Sequence, residues 1–303
     1  MNANSNVIGV DVGGTKILAG VVGREGNVAR HREFATPKES EAALLDGLEA
    51  AVRDLLDENV VAVGFGVPSR IDQRAGVAIG SVNIPLVGVP LRDEMNKRLE
   101  LPVAIENDAN AAAIAEWKAG AARGASDVVM ITLGTGVGGG LILDGKLFSG
   151  AHGSAGEIGH TILDPDGPLD TCGQHGCVEV FCGGRSLAKQ TGKPASQLFE
   201  SAAAGDPDSM RAVLEAARYM GHALINLTNL FDPEVIVMGG GITQSWEQVR
   251  PVLEEVLRGS PFIGAARRPR VAHAQLGDDA GLTGALAWAR SHLPAVDEEK
   301  ALA

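Results

Sequence analysis

The chain has 303 residues, 45% of them hydrophobic and 21% charged, with 40 glycines, which is enough to bury the cores of two α/β lobes. A formal net charge of -12 sets it against nucleic acid and anionic membrane surfaces, which would repel it at long range. The opening MNANSNVIGVD has no basic n-region, and the uncharged, apolar run 128–143 is 16 residues with five glycines, so neither a secretory signal nor a membrane span is expected.

In chain order, VIGVDV (7–12) reads as a β-branched strand, GGT as a tight turn, and KILAGVVGREGNV as a strand and glycine turn leading to a third strand near ARHREF, a three-strand meander. Residues 39–56 carry apolar positions at helical spacing. VVAVGFGVP is a buried strand, LRDEMNKRLE a helix, LPVAIE a further strand and NAAAIAEWKAGAA a helix. The opening pattern then returns in VVMITLGTGVGGGLILDGKLF, so DVGGTKILAGVVGREG and LGTGVGGGLILDGKL read as one supersecondary unit used twice. A helix over about 208–230 stops at Asp232-Pro233, followed by VIVMGGG, another helix and the strand RVAHAQL. Two related α/β lobes with a cleft between them are expected, and the tail after Pro294, AVDEEKALA, is expected to be solvated.

Several glycine motifs compete for a nucleotide. Gly134, Gly136 and Gly139 satisfy G-x-G-x-x-G, but that fingerprint needs a helix directly after it, and GGLILDGKLF reads as strand and hairpin. GLILDGKL matches G-x-x-x-x-G-K but has Leu147 where a magnesium-binding hydroxyl belongs. What remains is a pair of strand-turn-strand hairpins with Gly-Thr tips: Gly13, Gly14 and Thr15 in one, Gly134, Thr135, Gly136 and Gly138 in the other. Such tips let backbone N–H groups and threonine hydroxyls approach a triphosphate; the alternative is hairpin glycines that only supply positive φ. Asp11, ending the first strand, can hold magnesium through water, and Lys16 either neutralises phosphate charge or only flanks the turn.

In this order and spacing, DVGGTK, LGTGVGGG and VMGGG, which contains Gly240, resemble the two phosphate segments and the adenosine segment of the sugar kinase, actin and heat-shock chaperone superfamily. With ENDAN, GEIGH and CGQHGCVE, the chain from about 7 to about 290 resembles the ROK family of bacterial sugar kinases and repressors. The resemblance implies an α/β fold of two ribonuclease H-like, actin-like ATPase lobes, each with a mixed sheet, and an active-site cleft between them. The lobes are set at 1–108 and 109–303, with the final helix packing back on the first.

Phosphoryl transfer to a hydroxyl needs a group that accepts the alcohol proton. Asp108 lies between the strand LPVAIE and the helix NAAAIAEW, where it is either a helix N-cap or that base, and the family's N-D motif implies the base. The same resemblance makes Asn107, Glu157, His160 and Glu179 sugar ligands, while Asn83 is either a further ligand or a turn residue.

All three cysteines, Cys172, Cys177 and Cys182, fall within 169–182, which points to metal or redox chemistry before a disulfide framework. ROK kinases have C-x-C-G-x-x-G-C-x-E here, with a structural zinc held by three thiolates and the histidine of G-E-x-G-H. This sequence keeps Cys172, Cys177 and His160 but has Asp170 at the first cysteine position. Asp170, Cys182, His175 or water can complete a zinc shell that aims Glu179 and His160 at the sugar; the alternative is small buried thiols without metal.

The implied activity is ATP- and Mg2+-dependent phosphorylation of a hexose at its 6-hydroxyl, as in a glucokinase, by a cytoplasmic homodimer or homotetramer. N-acetylmannosamine, N-acetylglucosamine, fructose or mannose stand as alternative acceptors, and polyphosphate as an alternative donor. A repressor of the family needs a helix-turn-helix ahead of the first strand, for which the ten residues before Asp11 are expected to leave no room. An actin-like ATPase has no use for ENDAN, GEIGH and the cysteine loop.

Overall fold

Val7, Ile8, Val10 and Val12 are all buried, on both faces of their strand, as the middle of a covered sheet requires. They form β1 (Asn6–Val12) in a computed structural model that describes residues 6–23, 28–81, 83–277 and 279–292. The tail after Pro294 lies outside the described residues. Next come β2 (Lys16–Val22), β3 (Val28–Ala35), α1 (Glu41–Arg53), β4 (Val60–Val67), β5 (Arg70–Asp72), β6 (Val77–Gly80), α2 (Leu91–Leu99), β7 (Val103–Asn107) and α3 (Asp108–Ala119). The first sheet has the order β3-β2-β1-β4-β7: an antiparallel meander of three strands extended by two parallel ones. Ser40 starts α1 by accepting the Ala43 N–H at 3.1 Å, and its apolar stripe, Leu44, Leu48 and Val52, meets Phe65 and Ile8 in one core.

The second half follows as β8 (Val128–Leu133), β9 (Val137–Leu143), β10 (Lys146–Leu147), α4 (Val178–Cys182), α5 (Gly184–Thr191), α6 (Ala195–Ala203), α7 (Pro207–Phe231), β11 (Val235–Gly240), α8 (Trp246–Gly259), β12 (Arg270–His273) and α9 (Asp279–His292). Its sheet, β10-β9-β8-β11-β12, repeats the first: antiparallel on the β10-β9-β8 side, parallel through β11 and β12. The repeat read in the sequence is therefore a repeat of topology. The long helix α7 begins with Asp206 accepting the Ser209 N–H at 3.0 Å and Pro207 at the first helical position, and ends at Asp232 with φ 47°.

The described residues divide into two units, one holding 6–119, 149–155 and 279–292, the other 120–148 and 156–277. The boundary read after residue 108 differs from this division by α3 and residues 149–155, both in the first unit; α9, read as packing back on the first lobe, also falls in that unit, where it packs against α3. Contact there is backbone to backbone. A Cβ on Gly9 of β1 would overlap the Leu282 carbonyl, one on Gly64 of β4 the Ala285 carbonyl, and one on Gly284 of α9 the Ala111 carbonyl. No helix among the described residues is long and apolar enough to cross a membrane.

Local structure also differs from the sequence reading. The β5–β6 hairpin went unread because three and four residues carry no periodicity; Ile71 is buried, flanked by exposed Arg70 and Asp72. The end of the cysteine segment is helix α4 rather than loop, with Cys182 buried and its thiol donating to the Ala216 carbonyl of α7 at 3.3 Å.

Candidate active site

The first tip is closed by the Gly13 N–H donating to the Lys16 carbonyl at 2.8 Å. Thr36 ties its carbonyls down: the hydroxyl donates to Gly13 O at 2.8 Å and the N–H to Thr15 O at 3.1 Å. Among the described residues, the N–H groups of Gly14 and Thr15 meet no protein acceptor. Asn83 is exposed and lies beside this turn, its Cβ 3.3 Å from where a Gly14 Cβ would stand. Asp11 is half-buried at the end of β1 against α9, where a Cβ on Gly281 would overlap its carboxylate. Lys16 Nζ lies 3.3 Å from Glu33 Oε2 on the neighbouring strand, with both side chains exposed.

The second tip has the same logic with different partners. Gly134 N–H donates to Gly136 O at 3.1 Å, while the first N–H groups of α5, on Gly184 and Arg185, bind the carbonyls of Gly134 and Thr135 at 3.0 and 2.8 Å. The N–H groups of Thr135 and Gly136 meet no protein acceptor among the described residues. None of Gly13, Gly14, Gly134, Gly136 or Gly138 has a left-handed φ, so these glycines are not there to supply one. Gly136 instead leaves space, because a Cβ there would overlap Glu179 Oε2, the atom that accepts the Val137 N–H at 2.8 Å. Gly138 pairs with Thr132 inside the β8–β9 ladder. A strand and hairpin follow the G-x-G-x-x-G match, as the sequence reading required for rejecting a dinucleotide site. Gly240 ends β11 at φ 91°, over the Leu133 carbonyl, with its own carbonyl accepting the Thr243 hydroxyl at 2.6 Å.

ENDAN, 106–110, spans the junction of β7 and α3. Asn107 is the cap: its Oδ1 accepts the N–H groups of Ala109 and Asn110 at 3.0 and 3.1 Å, and its Nδ2 donates to Ser69 O at 3.3 Å. Asp108 is the first helical residue, half-buried, with Oδ1 2.9 Å from the Ala109 nitrogen. The N-cap alternative for Asp108 is thus taken by its neighbour. Glu106, quoted within the motif but given no role by the sequence, is 2% exposed. Its carboxyl accepts from Gln73 Nε2 at 2.8 Å, the Asn107 N–H at 2.8 Å and Asn110 Nδ2 at 3.0 Å. Burial nonetheless pushes it up to about 7, the three donors pulling the other way.

In the second unit, Glu157 is exposed at the head of a 3-10 turn (Ile158–His160). His160 Nδ1 lies 3.0 Å from Asp170 Oδ2, and Cys172 Sγ 3.6 Å from Cys177 Sγ. One ligand atom from each of these four residues falls within 4.8 Å of the others. Two sulfurs about 2.3 Å from a tetrahedral zinc would stand roughly 3.8 Å apart, so the four residues fit a zinc ion. Burial disfavours the Asp170 carboxylate, but hydrogen bonds from Cys172, the Thr171 N–H, Cys177 and His160 outweigh it and hold the group below its usual range. The other two protein candidates stand elsewhere: Cys182 is under α7, and His175 Nδ1 is 2.8 Å from the Gly167 carbonyl. A cavity of about 500 Å³ runs between α8 and β12, lined by Trp246, Arg250, Arg270 and His273 among others, and none of the residues singled out in the sequence lines it.

A family model described as the ROK family matches residues 7–292. A glucokinase from Streptomyces coelicolor is 38% identical over 314 residues, covering 95% of this chain and 98% of that protein. An N-acetylmannosamine kinase from Shigella flexneri is 34% identical over 286 residues, covering 92% of this chain and 96% of that one. Among solved structures, a ROK family glucokinase from Streptomyces griseus in complex with glucose and AMPPNP superposes with a TM-score of 0.84 at 38% identity, covering 95% of this chain and all of that one.

Proposed function

We propose that this chain, which belongs to the ROK family, is an ATP-dependent hexose kinase that converts glucose to glucose 6-phosphate. The observation that carries the reading is common to both tips. Their carbonyls are bound by protein donors while the N–H groups of Gly14, Thr15, Thr135 and Gly136 meet no protein acceptor among the described residues, which suits them to phosphate oxygens. The Thr15 and Thr135 hydroxyls add donors there, and Gly240, in the adenosine segment, lets β11 end at a positive φ close over the Leu133 backbone. Magnesium, bound with ATP, neutralises phosphate charge, and Asp11 is the residue that would hold it through water.

Asp108 takes the proton of the sugar 6-hydroxyl as that oxygen attacks the γ-phosphorus and ADP leaves. Asn83, Asn107, Glu157, His160 and Glu179 bind the remaining hydroxyls. Asn107 has one amide hydrogen left to offer, since its oxygen is spent on the cap and its other hydrogen on Ser69. His160, Asp170, Cys172 and Cys177 hold a structural zinc, with the His160 Nδ1 edge facing the cluster and Nε2 left for the sugar. The enzyme works in the cytoplasm, where reducing conditions keep Cys172 and Cys177 as thiols, and as a homodimer or homotetramer.

The test is ADP release coupled to detection of sugar phosphate, with ATP or polyphosphate as donor, over glucose, mannose, fructose, N-acetylmannosamine and N-acetylglucosamine. Glucose should give the highest kcat/KM, and Asp108→Asn should lose on the order of 10²- to 10⁴-fold in kcat. ADP release that ignores added sugar, or near-normal turnover in a folded Asp108→Asn sample, rejects the reading. A second reading, an N-acetylmannosamine kinase, is favoured by the relative at 34% identity and would appear as the better substrate in the same panel.

A further inference from the structure

Glu106 occupies a position on β7 where an apolar side chain would be cheaper, since its neighbours Val103, Ala104 and Ile105 are all buried. A carboxyl survives there only if donors surround it, and the three that do come from three separate places. Gln73 lies in the turn between β5 and β6, the Asn107 N–H is at the strand–helix junction, and Asn110 is in the first turn of α3. Asp108 sits between the last two. The Asn110 bond to Glu106 is the one side-chain hydrogen bond that amide makes among the described residues, because its Oδ1 is buried without a partner.

Gln73 is anchored in turn. Its Nε2 also donates to the Ile105 carbonyl at 3.1 Å, and its own carbonyl accepts from Arg92 of α2 at 3.0 Å, with a second Arg92 nitrogen on the Arg74 carbonyl at 3.1 Å. A continuous set of hydrogen bonds therefore runs from α2 through the hairpin turn to Glu106, and from Glu106 to the residues on either side of Asp108.

We propose that Glu106 is a positioning residue for Asp108: its buried carboxyl joins the hairpin turn, the end of β7 and the first turn of α3, and so fixes where the Asp108 carboxylate stands. The role rests on the reading of Asp108 as the proton acceptor. Proton transfer needs heavy atoms within about 2.6–3.2 Å, and a misplacement of about 1 Å costs on the order of 10²-fold. Of the groups assigned to the hexose, only Asn107 is bonded to Glu106, and through its backbone N–H, so hexose binding is expected to change less than proton transfer.

The test compares Glu106→Gln, Gln73→Ala and Asp108→Asn with the wild-type enzyme, measuring kcat, KM, the hexose dissociation constant by calorimetry and thermal melting. Glu106→Gln keeps the shape but sets an amide nitrogen against Gln73 Nε2, two donors face to face. It should lose roughly 10- to 100-fold in kcat with the hexose dissociation constant within about threefold of wild type. Gln73→Ala, which removes one donor and leaves the carboxyl, should show the same split at about 3- to 10-fold in kcat. Wild-type kcat in both variants, or a loss of equal size in hexose binding and in kcat, overturns the proposal; if Glu106→Gln fails to fold, Gln73→Ala decides by the same criterion. Asp108→Asn separates the two readings. Normal turnover there removes the base assignment and this role with it, whereas an inactive Asp108→Asn beside a normal Glu106→Gln removes this role alone.

Discussion

Glu179 Oε2 accepts the Val137 N–H at 2.8 Å, and the same oxygen occupies the space a side chain on Gly136 would need. A carboxylate from α4 is thereby joined to the backbone of the second glycine tip. A residue read as a sugar ligand and a turn read as a phosphate cradle are one mechanical piece.

Gly136→Ala should therefore damage more than the turn. Its Cβ displaces the Glu179 carboxylate and breaks a charge-assisted hydrogen bond of about 1.5–3 kcal/mol, so kcat/KM should fall roughly 10- to 100-fold for both sugar and ATP. Gly134→Ala is the comparison: its Cβ meets nothing within 4 Å and its φ is not left-handed, so the unfolding free energy should change by less than about 0.5 kcal/mol. Steady-state kinetics and urea denaturation of the two variants check this. Equal behaviour would mean that the Glu179 contact does not matter.

Asn107 carries two separable duties. Asn107→Ala removes the acceptor for two helix N–H groups and should cost about 1–2 kcal/mol in unfolding free energy. Asn107→Asp keeps the acceptor but loses the donor now on Ser69 O and available to a sugar hydroxyl, so it should regain most of the stability without regaining hexose affinity. Urea melts paired with calorimetric titration of glucose test the split. Recovery of both properties in Asn107→Asp would make the residue a cap and nothing else.

The strands and tips were legible because β-branched runs bounded by glycine leave few other conformations, and because the unit occurs twice. The cap was not legible: Asn and Asp are equally good at an N-cap, so ENDAN offered two candidates one residue apart, and only backbone geometry chooses Asn107. Glu106 stayed invisible for a related reason, since its meaning depends on Gln73, which sits in a hairpin too short to show a period. The spacing of Gly281 and Gly284 was a signal that went unused. Glycines three apart in a helix mark close approach, here to Asp11 and to Ala111. Cys172 and Cys177 are plain from spacing, whereas Asp170 becomes a ligand candidate only against the family pattern and through its 3.0 Å approach to His160.

Metal content tests that cluster directly. Purified protein should carry about one zinc per chain, released by a chelator together with a fall in melting temperature. Asp170→Ala should weaken zinc retention by at least about tenfold, and Asp170→Cys should strengthen it, because thiolate is the softer ligand. Cys182→Ala should leave zinc unchanged, since that thiol is held by the Ala216 carbonyl and not by the cluster. Mass-spectrometric metal analysis and competition with a chromogenic chelator give the numbers. Zinc retained at wild-type strength in Asp170→Ala would remove the aspartate from the shell.

The Glu106 carboxyl should also leave a mark on stability that is independent of turnover. Its folded-state value, about 7, lies above the ordinary 4.5, with burial as the main cause and three neutral donors, Asn110, the Asn107 N–H and Gln73, opposing it. Between these two values the folded chain holds a proton that the unfolded chain has released. Stability from this group is therefore complete below about pH 4.5 and is lost as pH rises through about 7, amounting to roughly 3 kcal/mol over the window. Glu106→Gln cannot titrate and lacks that slope. The unfolding free energy of wild type minus that of Glu106→Gln, measured in urea from pH 4.5 to pH 8, should decline with rising pH and level off above about 7.5. Parallel profiles for the two proteins would show that the carboxyl titrates alike in both states, and hence that its burial costs the charged form nothing.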